Sequence, residues 1–134
     1  VSQDHTISDD DILNTAYIDN ILKNKNIHIY NIDGGIVQYT CFCRDWDLPI
    51  GLVWVRFRTN QKDECFVEIL NCYTVHWARR KGICKYMYDN LWQSANAKYM
   101  TTNCGSNEGG KDFIENYGFK LNEELGIWIY RQLS

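Results

Sequence analysis

The run FVEILNCYTV, Phe66 to Val75, followed after seven residues by ICKYMYDNLWQSA, constrains the fold more than any other feature of the chain. Only Glu68, Asn71 and Thr74 interrupt its apolar character, and a strand that apolar belongs in the middle of a sheet, where both faces are covered. After HWARRKG the hydrophobic period lengthens to that of a helix. Ile83, Met87 and Leu91 fall on one face with Tyr86 and Trp92 beside them, which predicts a helix from about Gly82 to Ala95. A central strand that feeds an amphipathic helix needs that helix to pack back against its sheet.

The flanking segments extend this unit. SDDDILNTAYIDNILKNKN opens on a Ser/Asp cap and repeats apolar residues at helical spacing, predicting a helix over Asp10 to Lys23. IHIYNI, IVQYTCFCRD and LVWVRFR are alternating or β-branched runs, separated by turns at DGG and DLPIG. NQKDE turns into the central strand. KYMTTNCG predicts a short strand, EGGKDFIENYG a helix ended by Gly118, and FKLNEELGIWIYRQL a closing hairpin. The order α, three or four antiparallel strands, α, β, α, β, β is a mixed α/β (α+β) fold. It predicts a central, mostly antiparallel twisted sheet flanked by helices, in one domain over residues 1–134, which contain no linker or internal repeat.

Composition excludes several functions. A net charge of -3 argues against general nucleic-acid binding. No apolar run approaches the roughly 18 residues that suit a membrane span, and the polar VSQDHTISDDD is neither a signal nor a transit sequence. Six cysteines form no C-x2-C pair and the three histidines lack ligand spacing, so no zinc site is expected. Most of the cysteines lie among apolar residues as reduced thiols do, which predicts a reducing, cytoplasmic setting.

Arg79, Arg80, Lys81 and Lys85 crowd the start of the predicted helix. Cations are disfavoured there by the helix dipole, whereas the free N–H groups of the first turn favour an anion. Gly82 lets the backbone approach a ligand closely. The cations therefore predict a phosphate site, the other reading being a solvated basic patch.

RRKGIC after an apolar strand resembles the pyrophosphate loop of the GNAT acetyltransferase superfamily, Q/R-x-x-G-x-G/A, with Arg79 at the first position, Gly82 at the Gly and Cys84 where Gly or Ala is usual. NEGGKDFIENYGFK resembles the segment N-x-x-(A)-x-x-F-Y-E-K-x-G-F, matched by Asn107, Phe113, Glu115, Gly118 and Phe119. FVEILNCYTV resembles the fourth strand of the histone acetyltransferase branch, with Glu68 and Cys72 at matching places. The resemblance covers roughly Gly34 to Ser134.

The resemblance implies an N-acetyltransferase that moves an acetyl group from acetyl-CoA to a primary amine, with a protein lysine as one acceptor. Arg79, Arg80, Lys81, Gly82, Ile83 and Cys84 would hold the pyrophosphate, and Lys85 and Lys111 its other phosphates. The main chain of Cys72, Tyr73, Thr74 and Val75 would pair with the pantetheine and the thioester carbonyl, and Asn107 and Phe113 would complete the cofactor site. Glu68 would be the general base, its carboxyl raised by an apolar strand; the alternative is a surface ion pair. Where many members carry a Tyr acting as general acid, this chain has Ile114. Tyr117 is the substitute acid or a packing residue, and His76 is an exposed loop residue or a proton shuttle. A non-catalytic acyl-CoA- or protein-binding module, or an enzyme acting on a small amine or aminoacyl-tRNA, is the alternative function. No metal and no membrane partner are expected.

Overall fold

Four successive strands, β1 (Lys25–Ile32), β2 (Ile36–Cys43), β3 (Leu48–Thr59) and β4 (Cys65–Thr74), form an antiparallel meander in a computed structural model of the chain. The structure describes residues 16–44, 47–103 and 108–131. Residues 16–21, preceding the meander, are helical (α1). The rest of the predicted first helix lies outside the described residues, apart from Leu22 and Lys23, which turn into β1. After β4 come α2 (Ile83–Ala95), β5 (Tyr99–Thr102), α3 (Glu108–Tyr117), β6 (Lys120–Asn122) and β7 (Ile127–Arg131). Among the described residues the sheet has seven strands in the order β1-β2-β3-β4-β5-β7-β6, and the β4–β5 pair is parallel.

That parallel pair follows from chain order. Two strands joined by a helix return in the same direction, whereas the three-to-five-residue turns elsewhere reverse the chain. Gly126, at φ 69, closes the last hairpin, donating to the Asn122 carbonyl at 2.8 Å.

One predicted turn is instead a strand. Leu48, Pro49, Ile50 and Gly51 of DLPIG belong to β3. The β2–β3 register shifts there, with Phe42 opposite Pro49 and Cys41 opposite Gly51, so Ile50 is an extra residue. Proline lacks an N–H for the ladder, and a strand start beside a bulge tolerates that loss. The reversal falls before it, where Asp47 adopts φ 49.

The core lies between the sheet and α1 and α2. Cys41, Val53, Val55 and Val67 meet Ile21, Leu22, Ile83, Met87 and Leu91, all buried. The predicted face of α2 is the buried one, with Tyr88 added to it. Helix and sheet approach closely at Gly51, where a Cβ would lie 2.9 Å from the Met87 Cε and 3.1 Å from the Tyr73 carbonyl oxygen. A second cluster of Tyr88, Phe113, Tyr117, Phe119 and Tyr130 seats α3 against α2 and β7 through tilted and edge-to-face rings.

Candidate functional site

β4 and β5 stay paired for only four residues, Phe66–Ile69 against Tyr99–Thr102. Beyond Ile69, β4 runs on to Thr74 against β3 alone, leaving its other edge open. A bulge marks the parting: Trp54 faces Asn71 and Val55 faces Ile69, so Leu70 has no partner on β3. An extra residue bends a strand and re-aims the side chains that follow it. Two clefts flank this point.

The first cleft, about 610 Å³, is lined by Cys72, Tyr73 and Thr74 of β4, by Ala78, Arg79, Arg80 and Gly82, by Ile83, Cys84, Lys85 and Tyr88 of α2, and by Phe113 of α3. Gly82 sits at φ 78 before the first turn, and a Cβ there would meet nothing within 4 Å, so the backbone angle and not space calls for glycine. No side chain caps α2, and its first turn holds no acidic residue. The first helical bond runs from the Tyr86 N–H to the Gly82 carbonyl at 3.0 Å. The N–H groups of Ile83, Cys84 and Lys85 therefore have no acceptor within the helix.

The predicted cations divide. Lys81 turns to Asp19 on α1 at 2.6 Å, Lys85 to Asp89 at 2.7 Å, and Lys111 to Glu115 at 3.8 Å on the surface of α3. Lys81 and Lys111 do not line the first cleft. Arg79 donates from Nε to the Thr74 carbonyl at 2.9 Å and lies over the Tyr73 ring. Among the described residues neither Arg79 nor Arg80 forms an ion pair, so both guanidinium charges remain available at the rim.

The open strand edge also divides. The Val75 N–H is committed to the Ile50 carbonyl at 2.9 Å, and Val75 does not line the cleft. The Cys72 N–H donates to its neighbour's side chain, Asn71 Oδ1, at 2.9 Å, a contact that a ligand carbonyl can replace. Asn107 lies outside the described residues.

Glu68 lines a second cleft of about 600 Å³, together with Arg58, Asn60, Tyr99, Thr101, Thr102, Asn103 and Arg131. Its carboxylate is 33% exposed and accepts from Arg58 Nε at 3.1 Å. Below the bulge Val67 and Ile69 are buried while Phe66, Glu68 and Leu70 are half-buried, so the strand is sealed on one face only. Of the two settings expected for Glu68, an apolar strand or a surface ion pair, it occupies the second, at a cleft wall. Both clefts reach the parting of β4 and β5, the second through Ile69 and Leu70 and the first through Cys72.

Tyr117 lines a neighbouring pocket of about 440 Å³ rather than the first cleft. Its hydroxyl donates to Asp89 Oδ1 at 2.8 Å, and burial followed by that carboxylate pushes its pKa well up. Ile114 is fully buried. This placement favours packing over acid catalysis for Tyr117. His76 is exposed in the 3-10 turn His76–Ala78.

Four participants escaped the sequence reading. Tyr88 and Asp89 lie one helical turn beyond Lys85 and were legible from that spacing. Arg58 was legible from the alternation of VRFR, which puts it on the side of β3 that Arg56 also faces. Asn71 carried no signal, because its role depends on the bulge beside it. Among the described residues no group of His, Cys, Asp and Glu could hold a metal, and no helix is long and apolar enough to cross a membrane.

No family model matches the sequence, and no curated protein does. Solved structures share its fold. AtaTR bound with AcCoA superposes with a TM-score of 0.62 at 10% identity, over 81% of this chain and 94% of that one. NAA60 of Arabidopsis thaliana, in complex with a bisubstrate analogue, gives 0.58 at 16% identity over 75% and 78%. The ribosomal-protein-alanine N-acetyltransferase of Brucella melitensis gives 0.55 at 20% identity over 63% and 61%. At 10–20% identity these likenesses rest on architecture and not on sequence: the chain has the fold of the GNAT N-acetyltransferases.

Proposed function

We propose that the chain is an acetyl-CoA-dependent N-acetyltransferase acting on a primary amine, with a protein lysine as the acceptor to test first. The observation that carries this reading is the parting of β4 from β5 beside the uncapped start of α2, where Arg79 and Arg80 have no carboxylate partner among the described residues. The N–H groups of α2 and the two guanidinium groups receive the pyrophosphate. The pantetheine follows the open edge of β4, and the Cys72 N–H, released from Asn71, donates to the thioester oxygen.

The acceptor enters from the opposite cleft. Arg58 orients Glu68, whose carboxylate takes a proton from the ammonium form of the amine, directly or through a water. The free amine attacks the thioester carbon, the oxyanion forms at the Cys72 N–H, and the tetrahedral intermediate expels CoA thiolate, which takes up the second proton released by the nitrogen. A thiolate is a good enough leaving group that Tyr117, held by Asp89, is not required as an acid. Ile114 at the usual Tyr position supports a second reading, a non-catalytic acyl-CoA-binding module.

One measurement tests the cleft common to both readings and another separates them. Acetyl-CoA should raise the melting temperature, and no shift at millimolar ligand would count against the cleft itself. Thiol release with peptide amines, reduced about 100-fold or more in Glu68→Gln with acetyl-CoA binding intact, supports catalysis. Binding without thiol release from any amine, and no label in lysate proteins from labelled acetyl-CoA, supports the module.

A further inference from the structure

The sulfur atoms of Cys72, on the open part of β4, and Cys84, in the first turn of α2, lie 3.0 Å apart in a hydrogen bond. Both residues line the first cleft. They are 12 positions apart and bracket the whole cationic loop, so a bond between them would staple the strand end to the helix start. A disulfide needs the sulfurs to close by only about 1 Å.

We propose that Cys72 and Cys84 form a reversible oxidation site, a dithiol that closes to a disulfide on meeting a low-molecular-weight disulfide in the cleft. This inference does not depend on the ligand being acetyl-CoA.

The other described cysteines do not offer the same chemistry. Cys41 and Cys43 are wholly buried, and burial pushes the Cys41 thiol up to about 11. Cys65 is exposed, at the start of β4 and remote in register from Cys72, so among the described cysteines it has no partner and takes up a mixed disulfide. In the pair itself, the hydrogen bond to Cys84 and then burial push the Cys72 thiol well up. The first attack is assigned to Cys84, which stands at the free N–H groups of the α2 start.

The exchange balances in two steps. The Cys84 thiolate attacks one sulfur of the external disulfide, which breaks its S–S bond, releases one thiol and leaves a mixed disulfide on Cys84. Cys72 then gives up its proton and attacks the Cys84 sulfur, forming the internal bond and expelling the second thiol. Two protein thiols are oxidised and one external disulfide is reduced to two thiols.

Incubating the full chain with oxidised glutathione, alkylating the remaining thiols and mapping peptides without reduction tests this. The expected result is loss of both free thiols, a linked peptide pair carrying Cys72 and Cys84, and its reversal by dithiothreitol. In Cys72→Ser the linked pair is absent and glutathione persists on Cys84. Exposed Cys65 is the control for oxidant contact. Recovery of Cys72 and Cys84 as separately alkylated residues while Cys65 carries glutathione would overturn the proposal. So would linkage of either residue to Cys104.

Discussion

Tyr117 on α3 donates its hydroxyl to Asp89 Oδ1 on α2 at 2.8 Å, and the other oxygen of that carboxylate holds Lys85 at 2.7 Å. One side chain thus joins the two helices and takes up a cation at the cleft mouth. Tyr117→Phe should lower stability by about 1 kcal/mol, the worth of one hydrogen bond, yet leave acetyl transfer within a factor of about two. Loss of a general acid would cost about 100-fold or more. The raised Tyr117 pKa fixes a pH signature as well. Its neutral form is favoured in the folded chain, so this contribution is complete below the unfolded value of about 10 and is lost as pH rises above it. Alkaline unfolding curves should therefore fall more steeply for the wild type than for Tyr117→Phe.

The two classes of loop cation should separate in binding. Arg80→Ala removes a charge that no carboxylate offsets among the described residues, so affinity for acetyl-CoA should fall about tenfold at low salt and less at high salt. Lys81→Ala breaks a pair with Asp19, and should change affinity by less than about threefold. Calorimetric titration at two ionic strengths checks both; equal losses would mean that the Lys81–Asp19 pair opens when ligand binds.

Gly51→Ala should destabilise the fold by about 1–3 kcal/mol, as overpacked sites do. The Met87 tip can swing away from a new methyl group, but the Tyr73 carbonyl, 3.1 Å off, is backbone and cannot. Urea denaturation measures the loss, and Gly51→Ala combined with Met87→Leu should recover only part of it. Full recovery would show that the methionine was the whole obstacle.

Occupancy of the first cleft should shield the Cys72–Cys84 pair, since both residues line it. Acetyl-CoA at ten times its dissociation constant should slow formation of the crosslink about tenfold, by the fall in free protein. An unchanged rate with the crosslink still forming would count against acetyl-CoA lying in this cleft, and would leave the dithiol itself standing.

Much of the architecture was legible because it depends on neighbours in sequence. The alternation in IHIYNI, the β-branched and aromatic residues of IVQYTCFCRD, the helical spacing of Ile83, Met87 and Leu91, and the glycines at 118 and 126 are local signals read by local sterics and hydrophobic period. Pro49 misled for the same reason: its preference for turns is local, whereas its tolerance beside a bulge depends on β2 lying opposite. The site was legible as a loop of cations before a helix. Which cations remain without a partner was not, because Asp19 and Asp89 reach Lys81 and Lys85 across a helix interface and along a helix turn.

The sequence by itself determined the order of elements, the central place of β4 and the cationic character of the turn at Arg79–Gly82, since propensity, period and charge are carried by the residues themselves. Only the tertiary structure decided that β4 parts from β5 after Ile69, that Glu68 faces Arg58 in a separate cleft, and that Cys72 meets Cys84. Each of these is a long-range relation fixed by a bulge and by helix packing. A bulge shifts every later side chain by one place while leaving the local sequence pattern unchanged.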